Sequence, residues 1–231
     1  MDKIFKGKNI IVYDDILTDK EKDFFEDKFY YKKIIRYEGL PNEEKFINEF
    51  PWYVRQETLT VHKDTNKIMK KNNPEVHDGG FMVHEFYKVD DNDETKMLSS
   101  SRFNLINMLL EKIMIYFDID KLPLIRAKAN LQHPLFENKK EWFNSPHIDF
   151  NQEHWVCIYY VNDSDGDTIF FDEIPVRGEE YHKAIDKKLT IQKRVSPKKG
   201  RFVFFNGNIL HTGQHPMNSH CRIAVNMDFN K

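Results

Sequence analysis

The chain has 231 residues, of which 40% are hydrophobic, and its 19 Phe, 10 Tyr and 3 Trp can supply a globular core. Its 35 Lys and Arg against 37 Asp and Glu give a net charge of −2, which excludes the basic excess typical of nucleic-acid-binding proteins. No apolar run is long enough to cross a bilayer. We therefore expect neither a nucleic acid nor a membrane among its partners.

The first residues, 1–8, lack the apolar segment of a secretory signal peptide, so a cytoplasmic location is expected. The two cysteines, Cys157 and Cys221, are too few for a disulfide framework and are not spaced as a metal-binding pair. We interpret both as reduced residues of strands.

Three helices are predicted in the first half of the chain. Residues 16–33 begin near a capping residue, Thr18 or Asp19, and carry lysines towards the end. A second, short helix is predicted within 40–51, with Pro41 at its start. The third follows a run of serines and has an apolar stripe at helical spacing that indicates core packing, formed by Leu105, Leu109, Leu110, Ile113, Met114 and Phe117.

Strand signals dominate the remainder of the chain. Eight segments combine β-branched or aromatic residues with turn residues between them: 54–62, 80–88, 122–132, 154–161, 167–172, 188–194, 201–206 and 221–229. This pattern predicts a mainly β fold, an antiparallel sandwich or jelly roll, with the N-terminal helices packed on the outside of the sheet. We expect residues 1–120 to form an extension of helices and strands in the same globule as a 121–231 core.

The last of these strands separates apolar from polar residues with a period of two. One face carries Ile223, Val225, Met227 and Phe229, and the other carries Arg222, Ala224, Asn226 and Asp228. The apolar face requires a core to pack against. Two interpretations of the polar face stay open, because it can line a ligand cavity in the mouth of a barrel or face solvent.

His147 and Asp149 are candidate metal ligands. Residues two apart in a strand point the same way, so the two side chains can present a nitrogen and an oxygen to one point. A His-x-Asp triplet should occur roughly once by chance in a chain of this composition, and His62 and Asp64 form a second one. We interpret that second triplet as the end of a surface strand, because no His and Arg follow it at a comparable distance.

His211 lies downstream of the first triplet, at the end of an apolar run. Arg222 follows His211 eleven residues later. Two imidazoles and one carboxylate form the facial arrangement of non-haem Fe(II) oxygenases, which leaves coordination positions open. A structural zinc site would require a fourth protein ligand, and none is evident. A buried Arg222 needs an anionic partner, and a dicarboxylate could connect it to the metal.

Taken together, this order of residues resembles the 2-oxoglutarate/Fe(II)-dependent dioxygenase superfamily, in its prolyl-hydroxylase-like branch. The segments that carry the resemblance are 147–149, 158–162, 166–168, 200–205, His211 and Arg222. They lie within about residues 122–229, whereas residues 1–120 resemble no family that we can assign. The resemblance implies a double-stranded β-helix in which His147, Asp149 and His211 are the catalytic ligands of Fe(II).

The resemblance also implies that 2-oxoglutarate chelates the iron and that its far carboxylate pairs with Arg222. Tyr160 matches the family tyrosine that reaches this carboxylate, with a packed core tyrosine as the alternative. Thr168 is a candidate contact of the cosubstrate or an ordinary strand residue. Asn226 and Asn130 are lower-ranked candidates to line the cavity around the cosubstrate.

The activity implied by the resemblance is that of an oxidoreductase that uses O₂ and 2-oxoglutarate and releases succinate and CO₂. It would hydroxylate a C–H bond of a peptide or protein side chain, with proline as the first guess, or of a small molecule. Two alternatives stay open: a non-catalytic jelly roll that holds a metal or a carboxylate, and a cupin-like metal enzyme that does not use 2-oxoglutarate. The sequence does not identify the substrate.

Overall fold

A computed structural model describes residues 2–7, 9–29, 34–36, 44–46, 50–55, 63–89, 97–137, 139–150, 152–173 and 187–231. The helices in these ranges are α1 (Asp2–Phe5), α2 (Asp19–Phe29), α3 (Lys63–Asn72) and α4 (Phe103–Phe117). The strands are β1 (Ile10–Tyr13), β2 (Ile34–Arg36), β3 (Glu44–Phe46), β4 (Tyr53–Arg55), β5 (Phe81–Val89), β6 (Met97–Ser99), β7 (Leu124–Gln132), β8 (His154–Tyr160), β9 (Thr168–Phe171), β10 (Ile191–Val195), β11 (Phe202–Asn206), β12 (His211–Gly213) and β13 (Arg222–Asn230). Within the described ranges, every helix is too short or too polar to cross a bilayer.

Two antiparallel sheets form the frame of the molecule. The main sheet has the strand order β1-β11-β8-β13-β7-β5-β4, and β6 pairs with β5 beside this path. The minor sheet has the order β10-β9-β12, and β2 pairs with β3 separately. Because β1, β4, β5 and β6 precede residue 120, the main sheet contains strands from both sides of that position.

Both faces of the main sheet are buried. Helices α2 and α4 cover its outer face, where Phe25 and Ile113 pack in one apolar cluster with strand residues such as Tyr159 and Val225. A second cluster lies between the sheets, and the rings of Phe170 and Phe205 are 5.0 Å apart within it. Helix α3 covers the other face of the minor sheet. This arrangement confirms the predicted mainly β jelly roll with N-terminal helices outside the sheet.

Strands β7 and β13 are paired at the centre of the main sheet. Apolar and polar residues alternate along both strands, so that residues of the same kind lie on the same face of the sheet. Their apolar residues join the cluster under the helices, including Ala127, Ala129, Val225 and Met227. Their polar residues point to the space between the sheets, which is one of the two interpretations of the polar face of β13. The cavity interpretation of that face is therefore confirmed over the solvent-facing one.

Helix α2 is shorter than the predicted helix over 16–33. It begins after Thr18, whose backbone N–H donates to Glu21 Oε2 at 2.8 Å while the Glu21 N–H donates to Thr18 Oγ1 at 3.4 Å. This reciprocal pair is a capping box, which fixes the start of the helix at Asp19. Residues 30–33 lie outside the described part of the chain.

Two local predictions were wrong. Residues 44–46, within the predicted short helix over 40–51, form β3 and pair with β2. Backbone pairing with the nearby strand β2 replaces the helix, and local helix signals do not contain this pairing. The second His-x-Asp triplet does not end a strand, because Lys63 begins helix α3, while His62 lies outside the described residues. Of the strand predicted over 54–62, residues 56–62 also lie outside them.

Candidate active site

His147 and His211 face each other because their backbones form an isolated antiparallel bridge. The N–H of His147 donates to the carbonyl of His211 at 2.9 Å, and the reverse bond is 3.0 Å long. Directly paired residues of neighbouring strands place their side chains on the same face. The two imidazole rings consequently lie with their centroids 4.8 Å apart.

Each imidazole is oriented by a backbone carbonyl. His147 Nδ1 lies 3.2 Å from the oxygen of Ser145, and His211 Nδ1 lies 3.1 Å from the oxygen of Ile209. A proton on Nδ1 satisfies these bonds and leaves the lone pair of Nε2 free for a metal. Desolvation, with a further contribution from His211, lowers the pKa of His147 to about 3, so this ring is neutral at pH 7. Neutral imidazole is the form that binds metals.

Asp149 lies in a bend and not in a strand, so its position beside the histidines does not come from the strand geometry that was predicted. Its Oδ2 is 3.4 Å from His211 Nε2 and accepts a hydrogen bond from Asn226 Nδ2 at 3.2 Å. Its Oδ1 accepts from Arg126 Nη2, and Lys128 Nζ is 3.6 Å from the same oxygen. Burial alone would raise the pKa of Asp149, but these two cations hold it well below its ordinary value.

The three side chains fit Fe(II). One ligand atom from each of His147, Asp149 and His211 lies within 4.8 Å of the other two. Two neutral imidazole nitrogens and one ionised carboxylate oxygen are the donor set of non-haem Fe(II) sites. Because such a set occupies only one face of the ion, it leaves positions for other ligands, as in a catalytic metal site.

A cavity opens beside these ligands, between the two sheets. Its volume is about 80 Å³, which is space for several water molecules or a small ligand. Besides the three candidate ligands, its lining includes Phe81, Lys128, Asn130, Gln132, Asn144, Ile158, Thr168, Thr212, Gly213, Arg222, Ala224 and Asn226.

Arg222 is a buried cation on the cavity wall, with 4% of its surface exposed. Its Nε donates to the carbonyl of Gly166 at 2.9 Å and its Nη1 to Gln132 Oε1 at 2.8 Å. Its Nη2 donates to Thr168 Oγ1 at 2.7 Å, and the guanidinium carbon is 5.5 Å from the centre of the Tyr160 ring.

The surroundings of Arg222 are suited to an anion. Arginine has five N–H donors. The three bonds above use three of them, and the Tyr160 hydroxyl is a further hydrogen-bonding neighbour of the guanidinium. Burial lowers the pKa of Arg222, since none of its hydrogen-bonding partners in the described chain is a carboxylate. A carboxylate placed in the cavity would offset this desolvation and match the geometry of the guanidinium.

The other predicted cosubstrate residues have distinct positions. Thr168 lines the cavity, whereas Tyr160 lies behind it and donates its hydroxyl to Thr168 Oγ1 at 2.6 Å. Tyr160 thus contacts Thr168 directly, and burial raises the pKa of the Tyr160 hydroxyl. Asn226 holds Asp149 on the cavity wall, and Asn130 lines the cavity on the neighbouring strand.

Sequence reasoning missed three charged or polar residues of β7. Arg126 and Lys128 contact Asp149, and Gln132 contacts Arg222. They alternate with the apolar residues of the same strand, so the period of two that was used for β13 would have placed them on the cavity side.

No protein-family model matches this sequence, and no curated protein does either. The fold itself is that of 2-oxoglutarate/Fe(II)-dependent oxygenases of solved structure. An oxidoreductase of the 2OG-Fe(II) oxygenase family from Burkholderia pseudomallei is 7% identical, with a TM-score of 0.58 over 98% of this chain and 87% of its own. The α-ketoglutarate-dependent epimerase SnoN from nogalamycin biosynthesis is 10% identical, with a TM-score of 0.52 over 97% and 79%.

A prolyl hydroxylase from Trichoplax adhaerens, solved with a peptide fragment of the hypoxia inducible factor oxygen degradation domain, is 11% identical. Its TM-score is 0.50 over 97% of this chain and 84% of its own. At these identities the similarity establishes the fold, and the fold resemblance predicted from residues 122–229 is confirmed.

Proposed function

We propose that the protein is a Fe(II)- and 2-oxoglutarate-dependent dioxygenase. The observation that carries the proposal is that one cavity contains both the His147, Asp149 and His211 ligand set and the buried guanidinium of Arg222. A metal ligand set alone would suit many functions. The added guanidinium favours a small dicarboxylate that chelates the metal at one end and needs a counter-ion at the other.

The spacing along β13 fits such a molecule. Arg222 and Asn226, which contacts Asp149, are four residues apart on one face of the strand, a separation of about 13 Å between their Cα atoms. The arginine side chain and a five-carbon dicarboxylate together would span this gap. Ala224 lies between them and lines the cavity, and its small side chain leaves room for the carbon chain.

Each residue would have a defined task. His147 and His211 would bind Fe(II) through Nε2, and Asp149 would bind it through Oδ2. Arg222 would bind the far carboxylate, with its orientation fixed by the carbonyl of Gly166 and the side chain of Thr168. When bound, Fe(II) with 2-oxoglutarate and O₂ would supply the oxidation of a substrate C–H bond, coupled to release of succinate and CO₂.

We propose hydroxylation of a peptide side chain, with proline as the first candidate, or of a small metabolite as the reaction. A prolyl hydroxylase among the similar structures supports the peptide. The epimerase among them supports a small-molecule substrate, and it shows that a shared fold does not fix the reaction outcome.

The test is succinate formation from 2-oxoglutarate by metal-free protein supplied with Fe(II) in air. We expect turnover by the wild type, with or without a prime substrate, and its loss in His211→Ala. Arg201→Gln is the control, because Arg201 pairs with Asp14 and does not line the cavity. A protein that binds metal and 2-oxoglutarate without forming succinate would instead be the non-catalytic binding jelly roll.

A further inference from the structure

Arg126 ties the candidate metal ligand Asp149 to a second buried carboxylate, that of Asp228. Its Nη2 donates to Asp149 Oδ1, and its Nε donates to Asp228 Oδ2 at 2.9 Å. The side chains of Asp149 and Asp228 are 2% and 0% exposed. The guanidinium carbon of Arg126 also lies 4.4 Å from the centre of the Phe150 ring. The arginine is therefore held on three sides.

The backbone makes this arrangement rigid. Arg126 in β7 and Asp228 in β13 are direct partners in the register of two central strands of the main sheet. Because the guanidinium is planar, fixing Nε on Asp228 also fixes the direction of the N–H groups on Nη2. The sheet thus sets where the Oδ1 atom of Asp149 is held.

The two carboxylate oxygens of Asp149 have different neighbours. Oδ1 is the acceptor of Arg126, whereas Oδ2 lies 3.4 Å from His211 Nε2, on the side of the candidate metal site. We infer that Arg126 is a positioning residue that restricts Asp149 to binding the metal through Oδ2 alone. The inference rests on the proposed function.

The restriction matters for the number of open positions on the metal. Two imidazoles and one carboxylate oxygen leave three positions of an octahedral ion. A chelating 2-oxoglutarate would take two of them, and O₂ would need the last. If Asp149 turned and bound through both oxygens, it would take a position that this chemistry requires.

Charge and positioning can be separated by the choice of variant. Removing the positive charge of Arg126 would strengthen binding of the nearby metal cation. Losing the hydrogen bond that orients Asp149 would weaken that binding. Arg126→Lys keeps the charge and loses the planar fork, so it isolates positioning. Arg201→Lys is the matched control, because Arg201 also donates from Nε and Nη2, at 2.7 and 2.9 Å, to the carboxylate of Asp14.

The first measurement is calorimetric binding of Co²⁺ to the metal-free proteins, with a thermal melt of each. We expect Arg126→Lys to bind Co²⁺ about 10- to 100-fold more weakly, and Arg201→Lys to bind it as the wild type does. Asp228→Asn, which keeps Arg126 and weakens its anchor, should move in the same direction by a smaller factor. It provides the test if Arg126→Lys does not fold.

The second measurement uses nitric oxide as a probe of the last open position in the anaerobic protein with Fe(II) and 2-oxoglutarate. We expect a high-spin paramagnetic adduct in the wild type and in Arg201→Lys, and a reduced adduct in Arg126→Lys at saturating metal. Wild-type Co²⁺ affinity and an undiminished adduct in folded Arg126→Lys would overturn the inference and leave the proposed function standing. Absence of metal binding in the wild type would overturn both.

Discussion

Replacing Arg222 with methionine should abolish tight 2-oxoglutarate binding and leave metal binding intact. The N–H groups of Arg222 that are not bonded to Gly166, Gln132 and Thr168 are candidates to bind the far carboxylate, and a hydrogen bond between charged groups contributes about 1.5–3 kcal/mol. Loss of one such bond should raise the dissociation constant of 2-oxoglutarate by at least about tenfold. The metal ligands lie on other segments and keep their mutual contacts.

The assay is calorimetric titration of the Co²⁺-loaded protein with 2-oxoglutarate, after Co²⁺ affinity has been measured separately. Arg201→Met serves as the control for loss of a paired arginine outside the cavity. A change below tenfold in a folded Arg222→Met protein would refute the assigned role of Arg222. Equal losses of metal and 2-oxoglutarate binding would show that Arg222 maintains the metal site instead.

Three further substitutions test the surroundings of this site. Ala224→Leu should fill the cavity between the metal and the guanidinium, so that calorimetry detects Co²⁺ binding but not 2-oxoglutarate binding. Thr168→Val removes an acceptor of Arg222 and should raise the KM for 2-oxoglutarate about tenfold, since a hydrogen bond of about 1–1.5 kcal/mol is lost; an unchanged KM would argue against it. Burial alone would raise the pKa of Asp165, but hydrogen bonds from residues 217–219 lower it to about 2. The contribution of the ionised Asp165 carboxylate to stability is therefore complete above about pH 4 and is lost as the pH falls towards 2. Asp165→Asn should lower the Tm at pH 7 by about 2–4 °C and should remove this part of the decrease in stability at acidic pH.

The sequence was sufficient where a periodic pattern coincides with a buried element. The apolar stripe around Leu109 and Ile113 predicted helix α4. The period of two in β13 separated its core face from its polar face, and it left open whether the polar face lines a cavity or faces solvent. Both patterns depend on which side of an element is buried, so they can be recognised without knowledge of the partner.

Features that depend on pairing between separate segments could not be predicted in this way. The pairing of β3 with the nearby strand β2 replaced a predicted short helix. Asp149 faces His211 from a bend, whereas the bridge between His147 and His211 comes from backbone segments far apart in the sequence. The link from Arg126 to Asp149 likewise requires the register of two strands that are distant along the chain.

The most direct test of the central claim is an anaerobic titration of the Fe(II)-loaded protein with 2-oxoglutarate, followed by visible absorption. A 2-oxo acid that chelates Fe(II) gives a charge-transfer band that neither component gives alone. We expect this band to saturate at one 2-oxoglutarate per protein and to be absent in His147→Ala and Asp149→Ala, while Arg222→Met should need a much higher concentration to develop it. A wild-type protein that binds Fe(II) and never develops the band would contradict the account.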